Sequence, residues 1–220
     1  MTLQYKPNTA KQYLKRHDPV MADLIKRVGH FQIETEFELS PFEALLRAIV
    51  YQQLSGKAAG TIHGRVLKLF KGAVTPRKLL NRDYDTLRSA GLSNNKVLAV
   101  QDLAAKTIDG TVPTIEVLQS LDNDDIVERL TSVRGIGQWT VEMMLIFKLG
   151  RANVLPVADL GVRKGYQLAY NTEELPTAAE LLEAGGTWAP YRSVASWYLW
   201  RATDEIDWAA NPSIVMHAAE

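Results

Sequence analysis

Two groups of residues in this 220-residue chain have types and spacing that could do chemistry. The first is Gly135-Ile136-Gly137, set between one amphipathic helical segment that starts after Asp122 and a second that starts at once. Two glycines flanking one apolar residue permit a tight turn and leave no side chain over it. The amides of Gly135, Gly137 and the next helix's first turn can then converge on an anion, while Ile136 plugs the turn into the core. The second is Asp159, a lone acid among apolar neighbours just before a helix, 22 residues beyond Gly137. Each has a plainer reading: the glycines as helix caps, and Asp159 as an N-cap. For Asp159 the two roles are compatible, because a capped carboxylate is a fixed one.

These residues need elements to hold them, and the pattern predicts helices almost throughout. Ser40-Pro41-Phe42-Glu43 reads as N-cap, N1 proline and capping-box acid. Behind it, Phe42, Leu45, Leu46, Ile49 and Val50 form the stripe of a half-buried helix. Asp18-Pro19 and Thr75-Pro76 repeat the cap-and-proline start. Ser93 caps a segment with Val97, Val100, Leu103, Ala104 and Ile108 inward, ended by Gly110, and Thr177 with Glu180 forms another box. A last helix, rich in aromatics, is expected over 190–203. Only 31–39 alternates like a strand, as an exposed edge or an extended linker. The expected fold is all-α, with about ten helices joined by short Gly/Pro loops.

Composition narrows the chemistry. The chain has no cysteine, which excludes a disulfide framework, a Cys-based zinc site, an iron–sulfur cluster and a thiol nucleophile. The four histidines are scattered, at 17, 30, 63 and 217. No apolar run is long enough to span a bilayer, and the N-terminus carries no signal-peptide pattern. The expectation is a soluble, intracellular protein.

The flanks of the hairpin carry a resemblance. Leu130-x-x-x-x-Gly-Ile-Gly-x-Trp-Thr140 resembles the helix-hairpin-helix of the DNA-glycosylase superfamily (HhH-GPD). Pro156-x-x-Asp159-Leu-Gly-Val162 matches that family's Pro-x-x-Asp-Leu-Gly-Val segment. Pro41 to Ser55 is similar to the first helix of the glycosylase core. Tyr191-Arg192-Ser193 to Trp200 is similar to the C-terminal helix of the 3-methyladenine DNA glycosylase II branch. The resemblance implies two helical lobes with a cleft between them. A core lobe of 37–150 would carry the hairpin, at about 122–148, and 1–36 with 151–220 would form the second lobe. It also implies a short form without an extra N-terminal β-domain.

The resemblance further implies a monofunctional base-excision enzyme that removes flipped-out alkylated purines, such as 3-methyladenine and 7-methylguanine, from damaged duplex DNA. Bifunctional relatives carry a catalytic lysine two residues after the second hairpin glycine; here that position is Trp139. Asp159 would be the catalytic carboxylate. Trp139, Trp200, Tyr51, Tyr198 and Leu160 would line the base pocket, with core packing as the alternative for the aromatic rings. Gln53 would wedge into the gap left by the flipped nucleotide. Ser55, Gly135, Ile136, Gly137, Gln138, Thr140, Arg163 and Lys164 would contact DNA. The carbonyls of Thr131, Val133 and Gly135 would hold a monovalent cation, sodium or potassium; no other cofactor and no iron–sulfur cluster is implied. The protein would act as a monomer, in the cytoplasm or nucleoid of a bacterium or archaeon, or in a eukaryotic nucleus. Three alternatives stay open: a glycosylase/lyase using Lys164 or Lys57, a DNA-binding protein that has lost the chemistry, and a helical protein–protein adaptor.

Net charge sharpens the partner. Lys plus Arg and Asp plus Glu are 25 each, which at face value argues against nucleic acid. The charges are segregated, however: +8 over 47–106 and +4 over 129–170, against −6 over 107–128 and −6 over 171–220. The basic segments hold Gln53, the hairpin and Asp159.

Overall fold

The computed structural model describes residues 3–33, 35 and 38–210, with side chains through Asp204. Among them the chain forms α1 (Pro7–His17), α2 (Pro19–Val28), α3 (Pro41–Tyr51), α4 (Gly56–Lys68), α5 (Pro76–Leu80), α6 (Tyr84–Ser89) and α7 (Asn94–Ile108). It continues with α8 (Ile115–Ser120), α9 (Asn123–Thr131), α10 (Gln138–Met143), α11 (Leu160–Tyr170), α12 (Ala178–Ala184) and α13 (Arg192–Ala210). A π-helical turn, Met144–Lys148, follows α10 directly. These thirteen exceed the ten expected because α5, α6 and α8 have only five or six residues each. Such lengths are too short to show a helical period.

No described residue lies in a strand. Of the strand-like run, Phe31 is anchored by ring contacts to Trp197 and Tyr198, at 4.8 and 6.0 Å between centroids. Glu34, Glu36 and Phe37 lie outside the described residues.

The helix starts follow local chemistry. Ser40 accepts from the Glu43 amide while Glu43 reaches back to the Ser40 amide at 2.8 Å, and Thr177 and Glu180 repeat the exchange. Asp18, Thr75, Ser93, Asp122 and Asp159 each accept the amide three residues on. Each such bond satisfies a donor that the helix itself cannot match.

The chain divides into two compact units, 36–144 and 1–35 with 145–220. In the first, α7 is central and packs against α3, α5 and α6. Its Val97, Val100, Leu103 and Ala104 are buried, as is the α3 stripe.

In the second unit, α11 packs against α13. Gly161 and Gly165, one turn apart, make the approach possible. A Cβ on Gly165 would lie 1.9 Å from the Leu199 carbonyl oxygen, and one on Gly161 would lie 2.9 Å from Cδ1 of Trp200. The buried Asp18 ties this unit together. It caps α2, accepts the indole N–H of Trp188 at 2.8 Å, and accepts the Tyr170 hydroxyl.

Candidate functional site

In the 36–144 unit, α9 ends at Thr131 and the chain turns through Ser132–Gly137 into α10. Gly135 has φ +78°, a backbone that side chains resist, whereas Gly137 is extended at φ −96°. Only the first glycine is required by conformation; the second keeps the surface bare, with nothing within 4 Å of an added Cβ. Ile136 is 4% exposed and plugs the turn. Gly137 offers no side-chain cap to α10. With no side-chain cap from the residue before it, the N-terminal end of α10 is built as a helix start that can receive an anion.

Helix α7 and the end of α3 brace this turn. Asp102 accepts the Arg134 amide at 2.7 Å and pairs with Lys106 at 3.1 Å. Lys106 also donates to the Ser132 carbonyl, and the Gln52 amide side chain donates to the Gly135 carbonyl at 2.8 Å. Lys96, also on α7, closes the end of α3 by donating to the carbonyls of Val50 and Gln52 at 2.7 and 2.8 Å. Burial holds the Lys96 pKa below its usual value. Immediately beyond, Gln53 adopts φ +58°, and Gln53, Leu54 and Ser55 are exposed. Ser55 caps α4.

The other expected residues of this unit are placed as follows. Trp139, in the first turn of α10, is 49% exposed. Gln138 turns back to donate to Glu142 at 2.9 Å, and Thr140 is half-buried. Tyr51 sits between Arg47, 4.8 Å from its ring centroid, and the edge-on ring of His63. Desolvation, reinforced by the Arg47 charge, pushes the His63 pKa down. Lys57 is exposed in the first turn of α4. The carbonyl of Val133 accepts the Ile136 amide, and Thr131 directs its hydroxyl to the Val127 carbonyl.

In the other unit, Asp159 ends the apolar segment 154–158 and caps α11. Its Oδ1 accepts the Val162 amide at 2.8 Å and the indole N–H of Trp200 at 2.9 Å. Trp200 is itself backed by the stacked ring of Phe147 at 5.8 Å. Leu160 is 52% exposed and Lys164 is exposed. Arg163 donates its Nε–H to the Pro176 carbonyl at 2.6 Å, which ties it to its own unit.

Tyr198 corrects an expectation. It is fully buried, packed on Phe31 and Trp197, with its hydroxyl donating to the Gly29 carbonyl at 3.1 Å. Burial pushes its pKa up to about 12. It is a core ring and not part of a base pocket.

Sequence reasoning missed Gln52, Lys96 and Asp102 as braces, and it missed the Trp200 N–H as a partner for Asp159. The Gly161-x-x-x-Gly165 spacing, not used in the sequence reading, is the signal that could have pointed to the helix contact behind that pairing.

A model of the HhH-GPD superfamily of base excision DNA repair proteins matches residues 46–190. DNA-3-methyladenine glycosylase 1 of Schizosaccharomyces pombe is 36% identical over 202 residues, covering 90% of this chain and 89% of that protein. The solved S. pombe 3-methyladenine DNA glycosylase, in complex with abasic DNA, superposes with a TM-score of 0.78 at 36% identity, over 89% of this chain and 97% of that one. A DNA-3-methyladenine glycosidase from Bacillus halodurans gives a TM-score of 0.83 at 33% identity, over 96% and 94%. The family match spans most of the chain, from α3 to beyond α12, and so takes in both the hairpin and Asp159: this chain belongs to the HhH-GPD superfamily of base excision DNA repair proteins.

Proposed function

We propose that this protein is a monofunctional DNA glycosylase that hydrolyses the N-glycosidic bond of alkylated purines, 3-methyladenine and 7-methylguanine among them, and leaves an abasic site. The observation that carries the reading is Asp159, an acid held by two N–H donors at the start of α11. The similar proteins are named for 3-methyladenine glycosylase activity, and one of them is bound to abasic DNA.

The chemistry follows from the substrate. A purine alkylated at a ring nitrogen is cationic and leaves readily. What the reaction needs is negative charge beside the sugar as oxocarbenium character develops, and a placed water. A fixed carboxylate supplies the first and orients the second. The duplex hides the bond, so the nucleotide is flipped out, most cheaply at a weakened pair. The half-exposed Trp139 offers an electron-rich face to a cationic base, worth ~0.5–2 kcal/mol. Because Trp139 also stands where bifunctional relatives place their lysine, water is the nucleophile. The hairpin amides grip a backbone phosphate and Gln53 fills the vacated stack. The enzyme works as a monomer on damaged duplex DNA, wherever the cell keeps its DNA.

The carbonyls of Thr131, Val133 and Gly135 are neutral oxygen donors of the kind sodium and potassium take. Val133 and Gly135 each accept one hydrogen bond, which leaves each oxygen a second lone pair. The donor set fits such an ion, which would add positive charge under the phosphate. Abasic-DNA affinity in potassium and in tetramethylammonium at equal ionic strength tests this; equal affinity overturns it.

The test of the main reading is release of free 3-methyladenine or 7-methylguanine from alkylated DNA. Wild type releases the base and Asp159→Asn does not, while the variant still binds abasic-site DNA. Equal release by both proteins overturns the role given to Asp159.

A further inference from the structure

Trp200 was expected to stack on the flipped base, but its indole N–H faces the carboxylate, 2.9 Å from Oδ1 of Asp159. The same oxygen accepts the Val162 amide at 2.8 Å. Two donors on Oδ1 fix both the position of the carboxylate and the rotation of its plane, so the side chain's second oxygen is presented in one direction. A helix-capping bond alone holds the acid at one point and leaves it free to turn about that bond. The indole N–H removes that freedom.

The rest of the neighbourhood serves this pairing. Phe147 stacks behind Trp200 at 5.8 Å and 26° between planes, which sets the plane of the indole. On the opposite helix, Gly161 leaves the gap through which N–H and carboxylate meet. A Cβ there would lie 2.9 Å from Trp200 Cδ1, 3.1 Å from Asp159 Oδ1 and 3.2 Å from Trp200 Nε1. Gly165 lets the two helices close together one turn further on. Glycine is not needed at either position for its backbone angle; both are helical, and it is the missing side chain that matters.

We infer that Trp200 is a positioning residue: its indole N–H, admitted by Gly161, aims the Asp159 carboxylate, and its effect on base excision runs through that acid and not through stacking on the base. The inference rests on the reading of Asp159 as the catalytic carboxylate.

The experiment is steady-state and single-turnover excision of 7-methylguanine from a duplex oligonucleotide, with abasic-DNA affinity measured alongside. Trp200→Phe keeps an aromatic face and removes the N–H. Gly161→Ala keeps both side chains and forces them apart. Each variant is expected to lose ten- to hundredfold in kcat, about what a misplaced catalytic group costs. KM and the Kd for abasic DNA are expected to stay within about threefold, since the ring and the hairpin remain. A Trp200→Phe enzyme with near wild-type kcat overturns the inference, as does a loss that appears in KM and abasic affinity instead. If Trp200→Phe fails to fold, Gly161→Ala decides by the same two readouts. Asp159→Asn separates the two levels. Full activity in that variant overturns the reading of Asp159 itself, whereas an inactive Asp159→Asn beside an active Trp200→Phe overturns only the role of the indole.

Discussion

The side-chain amide of Gln52 donates to the carbonyl oxygen of Gly135 at 2.8 Å, a bond between residues 83 positions apart in the sequence. It links the turn that presents Gln53 to the turn that presents the hairpin amides. In the proposed reaction both turns meet the same DNA duplex, and this bond sets their spacing before DNA arrives.

Gln52→Leu removes the bond and leaves the Gly135 carbonyl without its side-chain donor. A single such bond contributes about 1 kcal/mol, which corresponds to about fivefold in affinity. Fluorescence anisotropy on abasic-site DNA is expected to show a loss of that size, with the fold intact by circular dichroism. Unchanged affinity would show that the two turns are set independently.

Gly165→Ala tests the close approach of α11 and α13. The added Cβ falls 1.9 Å from a backbone oxygen, where no side-chain rotation relieves it. The helices must separate, at a cost of about 3 kcal/mol. For a chain of this size that lowers the unfolding midpoint by roughly 6–12 °C. A midpoint within about 2 °C of wild type would contradict the packing described here.

Tyr198→Phe is expected to divide stability from activity. The hydroxyl is inside the core and bonded to Gly29, so its loss costs about 1 kcal/mol of stability. Excision kinetics should not change. A specific loss of kcat in this variant would return Tyr198 to the substrate.

The contrast between Tyr198 and Trp200 shows where the sequence stops being legible. Both rings lie in the segment that resembles the family's aromatic helix, but residues two apart on a helix point in roughly opposite directions. One faces the core and the other faces Asp159, and composition alone does not say which. The caps and the hairpin were readable because each rests on neighbours within a few residues: Ser40 with Glu43, Asp159 with Val162, Gly135 with its own φ. Gln52, Lys96 and Asp102 were not, because a polar residue on a helix or just past its end looks alike whether it faces water or a backbone group brought in by the fold. The short helices α5, α6 and α8 escaped for a related reason: fewer than two turns carry no period.

His63 gives a pH dependence of known sign. Desolvation and the nearby Arg47 both disfavour its charged form, so its folded pKa lies below the ordinary 6.5. The unfolded chain takes up the proton first. The stability tied to the neutral ring is therefore fully present above about 6.5 and is lost as the pH falls through the lower folded value. Thermal unfolding of wild type and His63→Gln, compared at about pH 7.5 and pH 5, should show a smaller drop for the variant. An equal drop in the two proteins would assign the acid sensitivity elsewhere.

Salt dependence follows from how the hairpin is built. Each phosphate neutralised by a lysine or arginine releases counterions and adds about 0.9 to the slope of log affinity against log salt. A phosphate held by backbone amides adds much less, and the chain as a whole carries no net charge. Two of the basic groups near the turns are also committed internally: Lys96 to the end of α3, and Lys106 to Asp102 and the Ser132 carbonyl. Abasic-DNA binding is therefore expected to have a slope no steeper than about −4. A steeper slope would mean that side-chain cations, not the amides of the Gly135–Gly137 turn, carry most of the grip on the backbone.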